Sequence, residues 1–491
     1  MKKKIKIAAI ILMALFLLVV VVAVILPHLI SLDRYKDMIE ARLEEALKRE
    51  VSVGALRITI LPTLGAKIED LIISNPPGFS PTPFLFLHAL RVRVKILPLL
   101  RGKKEIAGLT LQGPEVFVER DKRGRWNIPL IDIRTKSHKG ELKSAKVKVR
   151  KSKLLQGLSL SKASIKGGKF IYLDRNIDRR IEIEQMDLEL KDISFEKKIR
   201  YNLSLEGLQG DLWVQGWVGP LGEKTIDMKN IPLWGRVKAN FPKIDDLAKA
   251  LIGSKGPALQ AAVKIDLNLQ ADTGSPLKLQ GKILVKSLSI EKDGKEFIKD
   301  LNLFLKPQAA LSPGKGELRL KSILQIEETP FQIKGKFTDL WRKPSGMVTF
   351  SSTNGIDLKK WGSKFPPLEK VLNIKGTLAL RGDLRIPPSD TPLLFLQVNS
   401  PHMGITLVKR KKIKETQFVP QAKEAKRTKG GKGHSRLDIK GELEVTKGRF
   451  QGIDFRDLYL KADMERGKLK IERFSLAAFG GELEGSGGID G

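Results

Sequence analysis

Cysteine is absent from the 491-residue chain. Its absence excludes a disulfide framework, a thiolate metal site and a cysteine nucleophile, and it suits export into an oxidising compartment. Histidine is scarce: His28, His88, His138, His402 and His434 are scattered with no metal-ligand spacing, so neither a metal nor a cofactor is expected. Aromatic residues make up 6% of the chain, and no basic-aromatic motif of an RNA- or single-strand-binding platform is present, which argues against nucleic acid as a partner. Catalytic motifs are missing too. There is no GxSxG elbow, no Walker A loop, no HExxH and no dinucleotide-binding glycine fingerprint. Asp245 and Asp246 fall at the start of a predicted helix, where acids favour the dipole. Trp126, Trp213, Trp217 and Trp234 read as core or edge packing. The chain is therefore not expected to be an enzyme. An exported glycan-processing enzyme needs a cleft with paired carboxylates, and the sequence marks none.

What the chain does have begins at its N-terminus. Lys2, Lys3, Lys4 and Lys6 precede an uncharged apolar run over residues 7–26. Roughly 20 such residues span a bilayer core as a helix. A cleavable signal peptide has a shorter apolar region and a small-x-small site, whereas this run ends Val24-Ile25-Leu26-Pro27. It reads as an uncleaved anchor. Lysines before it and a mixed flank after it place the N-terminus in the cytoplasm and the body outside. The formal net charge of +34 implies anionic partners. With that topology, lipid headgroups are the favoured ones.

The segment after the anchor predicts an amphipathic helix over residues 33–49, with Ser31 or Asp33 as cap and Tyr35, Ile39, Leu43 and Leu47 recurring every four residues. Such a stripe packs on the body of its own protein. From Val51 the period changes to two. Leu372, Ile374, Leu378 and Leu380 oppose Asn373, Lys375, Thr377 and Arg381. Leu437, Ile439, Leu443 and Val445 oppose Asp438, Lys440, Glu442 and Glu444, and Leu458, Leu460, Ala462 and Met464 repeat the pattern. One oily face and one wet face is the pattern of an antiparallel sheet. Turns are expected at Lys292-Asp293-Gly294, Ser312-Pro313-Gly314, Lys447-Gly448 and Glu465-Arg466-Gly467-Lys468. An apolar-x-apolar-x-Gly pattern recurs at 109–113, 203–207, 212–216, 277–281, 331–335, 372–376 and 437–441. Glycine inside a strand often marks a bend, so these copies are expected to help the sheet curl. Helices are few: one over 242–252, with Ile244, Leu247, Ala248 and Leu251 on one face, and a turn or two over 356–361.

The chain divides by composition into a Lys cluster and anchor (1–32), a first region (33–134), a basic linker (135–153), a β-rich middle (154–408), a basic loop (409–433) and a C-terminal region (434–491). The loop holds eight Lys and two Arg.

An ordered set of motifs then supports a family. After the anchor come Asp33-Arg34-Tyr35-Lys36, Arg49-Glu50-Val51-Ser52-Val53, Ile60-Leu61-Pro62 and Leu71-Ile72-Ile73-Ser74-Asn75. They are followed by Pro77-Gly78-Phe79, Ile96-Leu97-Pro98-Leu99-Leu100, Gly113-Pro114, Arg120-Asp121 and Gly124-Arg125-Trp126-Asn127. These resemble the AsmA family of envelope proteins over roughly the first 130 residues. The stretch from Ile439-Lys440-Gly441 through Gly448-Arg449-Phe450 to Phe479-Gly480-Gly481-Glu482-Leu483-Glu484-Gly485 resembles the family's C-terminal repeat. Relatives usually continue with more strands, so the chain reads as a short member or a truncated one. The resemblance implies a mainly β fold: an N-terminal transmembrane helix, then an elongated, curled antiparallel sheet whose oily face forms an apolar groove. It implies a single-pass inner-membrane protein with its body in the periplasm, carrying phospholipids towards the outer membrane. Phospholipids and the inner membrane are the implied partners, with outer-membrane or periplasmic envelope proteins as further candidates. Leu372, Ile374, Leu378, Leu380, Leu437, Ile439, Leu443 and Val445 are the candidate groove residues. The alternative is an assembly or scaffolding factor for outer-membrane proteins, its oily face packed against itself.

Overall fold

The computed structural model describes residues 32–59, 64–95, 98, 101, 105–128, 160–222, 230–253, 256–388, 391–408, 437–465 and 468–489. The apolar run 7–26 and most of both basic stretches lie outside them. Among the described residues no helix is long and apolar enough to cross a membrane. The chain is mainly β and forms two compact units, Met1–Gly256 with Ala271–Gly274 and Pro257–Gln270 with Ser275–Gly491.

The first unit opens with helix α1, Asp33–Leu47. Its partner-facing stripe is Ile39, Leu43 and Leu47, as the four-residue spacing requires. The expected cap is not seen. Leu32 occupies the position before the first helical residue, no side chain caps it, and Ser31 lies outside the described residues. Lys48 ends the helix at φ +53°, its N–H donating to the Glu44 carbonyl. Nine strands follow. They are β1 (Val51–Thr59), β2 (Gly65–Ile73), β3 (Leu85–Val94), β4 (Ile106–Arg120) and β5 (Leu160–Asp174). Then come β6 (Arg179–Ile193), β7 (Ile199–Gly207), β8 (Gly210–Val218) and β9 (Leu233–Phe241). Each pairs with the next in chain order. Helix α2 is Asp245–Ile252, shorter than its apolar pattern suggested; Ala248 and Ala250 are buried while Leu251 is exposed.

The second unit contains β10 (Ala258–Ala271), β11 (Leu277–Lys292), β12 (Lys295–Lys306), β13 (Gln308–Ser312), β14 (Glu317–Ile326), β15 (Thr329–Thr338) and β16 (Ser345–Ser352). Short β17 (Ile356–Asp357) leads into α3 (Leu358–Gly362) and α4 (Pro366–Glu369). The unit continues with β18 (Leu372–Ile386), β19 (Leu393–Leu407), β20 (Asp438–Phe450), β21 (Ile453–Glu465), β22 (Lys468–Ala478) and β23 (Gly481–Ile489). Strands β12 and β13 are one path interrupted at Pro307, which has no N–H to give the ladder; both pair with β11 and β14.

Two expectations need correction. The sheets are not wholly antiparallel: β4 pairs parallel with β5, and β19 parallel with β20. Parallel neighbours need a long crossover, and the two basic stretches occupy those two intervals. Lys447-Gly448 is not a turn but lies inside β20. The Phe455 ring covers Gly448 so closely that a Cβ there would collide with its Cζ, and the turn comes instead at Gln451-Gly452. The ladder is also interrupted at a level that most of the repeated glycines do not mark. Across β1–β5 the ladder skips a pair at one level, marked by Gly54, Asp70 (φ +51°), His88, Gly113 (φ +56°) and Gly167 (φ +60°). Of the seven repeated copies, only Gly113 lies on this crease.

The crease has a consequence for packing. One inserted residue moves every later side chain to the other face. Because β1–β4 all insert at the same level, the apolar face stays on one side. Val53, Leu71 and Leu87 lie before it, Leu56, Ile68, Leu90 and Leu111 beyond it, and Ile68, Leu90 and Leu111 pack against the same cluster as Leu71 and Leu87. In the second unit a corresponding irregularity lies between Thr377 and Ala379, where Ser400 Oγ donates to the Thr377 carbonyl at 2.7 Å, and Asp457 sits at φ +56°.

Candidate functional site

Carboxylates that gather near one another are the first place to look for chemistry. At the end of β4 and β5, Glu119, Asp121 and Asp174 are buried. All three are occupied. Glu119 accepts from the Ser80 N–H at 2.9 Å and pairs with Arg175 at 2.6 Å. Asp121 accepts from the Arg123 and Arg125 N–H groups and from Arg125 Nε. Asp174 accepts from Arg120, the Tyr172 hydroxyl and the Asn176 N–H. Burial alone raises the Asp174 pKa; the Asn176 N–H, Tyr172 and Arg120 outweigh it and hold the carboxyl below its ordinary value. Asn127, fully buried, ties Asn75 to the Glu119 backbone. The motifs containing Asn75, Arg120-Asp121 and Gly124-Arg125-Trp126-Asn127 thus converge in one polar knot in which all three carboxylates are paired, while Arg120 Nε is buried without a hydrogen-bond partner. Asp245 and Asp246 sit in the first turn of α2. Among the described residues no group of three His, Asp or Glu could hold a metal ion.

The extended feature is the apolar face. Following the register across the first unit gives one unbroken row: Leu56, Ile68, Leu90, Leu111, Ile165, Leu188, Leu203, Val214 and Val237. The adjacent row on the other face reads Arg57, Lys67, Arg91, Thr110, Ser164, Glu189, Asn202, Gln215 and Arg236. Nine strands supply nine apolar residues on one side and nine polar ones on the other. All members of the apolar row are half-buried. Contrast the residues under α1: Val53 is 1% and Leu87 2% exposed.

The second unit repeats the arrangement. Leu269, Leu279, Ala309, Leu320, Gly335, Val348, Leu384, Leu394, Ile439, Met464 and Leu469 form a row without a polar member. The eight sequence candidates do not share one setting, and Leu443 and Ile374 each belong to two. Ile439, Leu380 and Leu443 lie on the half-buried face, the last two in the row Leu380, Val398, Leu443, Leu460. Val445, 1% exposed, is core with Met403 and Phe455, and Ile374 and Leu443 pack against that cluster under Leu358 of α3. Leu378 pairs with buried Ile356. Leu372 and Ile374 line a cleft of about 690 Å³ beside Lys359 and Lys360. Leu437 is exposed and precedes β20. Sequence reasoning named none of the first-unit row as a groove candidate, although Leu111, Leu203 and Val214 fall in the apolar-x-apolar-x-Gly copies. The row's signal was present as apolar pairs spaced by three across a polar residue or glycine, as in Ile68, Asp70, Leu71.

Trp126, Trp213, Trp217 and Trp234 lie outside the fully buried core. Trp126 is half exposed and stacks on Tyr172 at 5.8 Å. Trp213, Trp217 and Trp234 lie on the polar side of β8 and β9, with Lys198 Nζ 3.8 Å from the Trp217 ring centre.

Each unit is thus a long strand meander with a continuous apolar row on one face. The sequence profile of the AsmA family matches residues 1–310, and the chain belongs to that family. Membership supports an envelope-associated role. No curated protein and no solved structure matches the chain.

Proposed function

We propose that the protein is held in the inner membrane by residues 7–26, with its body in the periplasm, and carries phospholipids along an apolar groove towards the outer membrane. The observation that carries this reading is the nine-residue apolar row of the first unit, half-buried throughout, with α1 packed near its start and α2 against β6. An apolar sheet face needs a second layer. Acyl chains supply one, at about 0.8 kcal/mol for each methylene removed from water. The row offers no polar pocket that selects one lipid, so chains slide along it. No covalent step is required, and the protein acts as a carrier, not an enzyme.

The test is the lipid content of residues 33–491 secreted without the anchor. Mass spectrometry is expected to find phospholipid well above a matched control. A folded body with none overturns the carrier reading and leaves the assembly-factor one. Topology is checked separately: protease admitted past an opened outer envelope is expected to degrade the body while the inner membrane stays sealed.

A further inference from the structure

In β4, β5 and β6 the apolar face of the first unit stops at a charged row. Val116, Phe170 and Ile183 are paired in register, and so are Val118, Tyr172 and Ile181. The next row is Arg120, Asp174 and Arg179, extended by Trp126, which pairs with Arg120. Every second residue of a strand faces the same way, so the three rows share one face. On it, two guanidiniums flank one carboxylate. Asp174 accepts from Arg120 Nη1 at 3.2 Å, from the Tyr172 hydroxyl at 3.0 Å and from the Asn176 N–H at 2.9 Å. The neighbouring acids are engaged elsewhere: Glu119 with Arg175, Asp121 with Arg125, and Glu182 with Lys169 and Arg180. Asp178 lies in the exposed turn before β6, one residue outside the row.

Both guanidiniums are left short of acceptors. Arg120 Nε and Arg179 Nε are buried, and among the described residues neither has a hydrogen-bond partner. A buried charged donor without an acceptor is costly, and two in one row call for an explanation. Their charges meet at Tyr172: burial raises its pKa, and Arg120 and Arg179 each oppose that rise. The single carboxylate of the row offsets one guanidinium, so one positive charge remains beside two apolar rows. The Arg120 guanidinium lies 5.7 Å from the Trp126 ring centre, and that ring stacks on Tyr172. Arg120 and Arg179 are both partly exposed, so their forks can turn Nε and an Nη group together towards a ligand on the open side. That fork matches two oxygens of one phosphate, and a phosphodiester brings the one negative charge that the row lacks.

We propose that Arg120 and Arg179 together bind a phosphate oxyanion at the end of the apolar face. Resting on the carrier reading, the oxyanion is the phosphodiester of a lipid whose chains lie along Val118, Tyr172 and Ile181 and the row behind them. Inorganic phosphate has the same chemistry without the chains, and the test separates the two sources.

The full chain held in amphipol is titrated with dihexanoylphosphatidylglycerol and, separately, with inorganic phosphate, and binding is read by phosphorus NMR against empty amphipol. Both ligands are expected to bind. Arg179→Gln is expected to weaken each by about tenfold or more while the melting temperature holds, because a buried donor without an acceptor is removed. Arg179→Lys keeps the charge and loses the fork, so its affinity is expected to fall between the two; it also carries the test should the glutamine variant not fold. Tighter binding of the lipid assigns the site to a headgroup, whereas equal binding keeps the oxyanion site and removes the lipid from it. No binding of either ligand overturns the proposal, as does binding unchanged in both variants. A body that co-purifies with phospholipid while both variants bind like the native chain overturns the oxyanion site alone. A body without lipid that binds phosphate through Arg179 overturns the carrier reading alone.

Discussion

Val53 and Leu203 face the same side of the first unit's sheet, yet Val53 is 1% exposed while Leu203 is half-buried. Residue type does not distinguish them. What differs is cover: α1 lies over Val51, Val53, Leu71, Ile73 and Leu87, and the apolar face then runs on through β9 without it. Helix α1 is fixed there by its own acids. Glu40 accepts from the Val53 N–H at 2.7 Å and Glu44 from the Val51 N–H at 3.1 Å, which closes the free edge of β1. The end under α1 is a closed apolar core, and the rest of the face is half-buried. The same contrast recurs in the second unit between Val445 under α3 and the open row through Ile439.

The largest break in this contrast comes from charge. Val53→Asp is expected to cost about 4 kcal/mol or more and to unfold the first unit, since it places an ion in a closed apolar cluster. Leu203→Asp leaves the fold intact and removes bound lipid; circular dichroism with lipid analysis separates the two. Size gives the next effect: Leu87→Ala costs about 3 kcal/mol and Leu203→Ala about 1 kcal/mol in urea denaturation. In the second unit Leu380→Asp is expected to abolish lipid loading and Arg381→Asp to spare it. Ile374→Asp lowers stability as well, because Ile374 packs on the Val445 cluster. Removing both edge acceptors with Glu40→Ala and Glu44→Ala costs about 1–2 kcal/mol and speeds hydrogen exchange at the Val51 and Val53 amides. The smallest effect is with pH. The lowered pKa of Asp174 contributes stability above the unfolded value of about 3.9 that is lost as pH falls through the folded value. Urea midpoints at pH 7 and pH 3 are expected to differ less in Asp174→Asn than in the native chain.

Most of the strand pattern was legible because a one-sided sheet writes its period directly into the sequence. Leu458, Leu460, Ala462 and Met464 fall on one face of β21, and Asp293-Gly294 turns β11 into β12. The helix stripe Ile39, Leu43, Leu47 also survived intact. What stayed hidden depends on neighbours. No local signal says that β5 returns beside β4 in the same direction, because direction is set by a crossover and not by alternation. Gly448 looks like a turn residue until Phe455 is placed over it. The crease was missed because Asp70, His88 and Gly113 are far apart in sequence and become a line only when the strands are in register. Val445 and Ile439 have the same period and the same strand, and only the position of α3 makes one core and the other surface.

The two parallel joints bear on how the chain folds. In a meander each new strand finds its partner in the one just completed, so pairing can follow the chain as it emerges and contacts stay local. At β4 that sequence stops: 39 residues separate Arg120 from Leu160 before the next strand arrives, and 30 separate Leu407 from Asp438. At synthesis rates of about 5–20 residues per second, the edge of β4 waits on the order of 2–8 s with its ladder unsatisfied. The half-finished chain is then most open to aggregation at two definite points. A shortened crossover is expected to fold faster without altering the finished sheet.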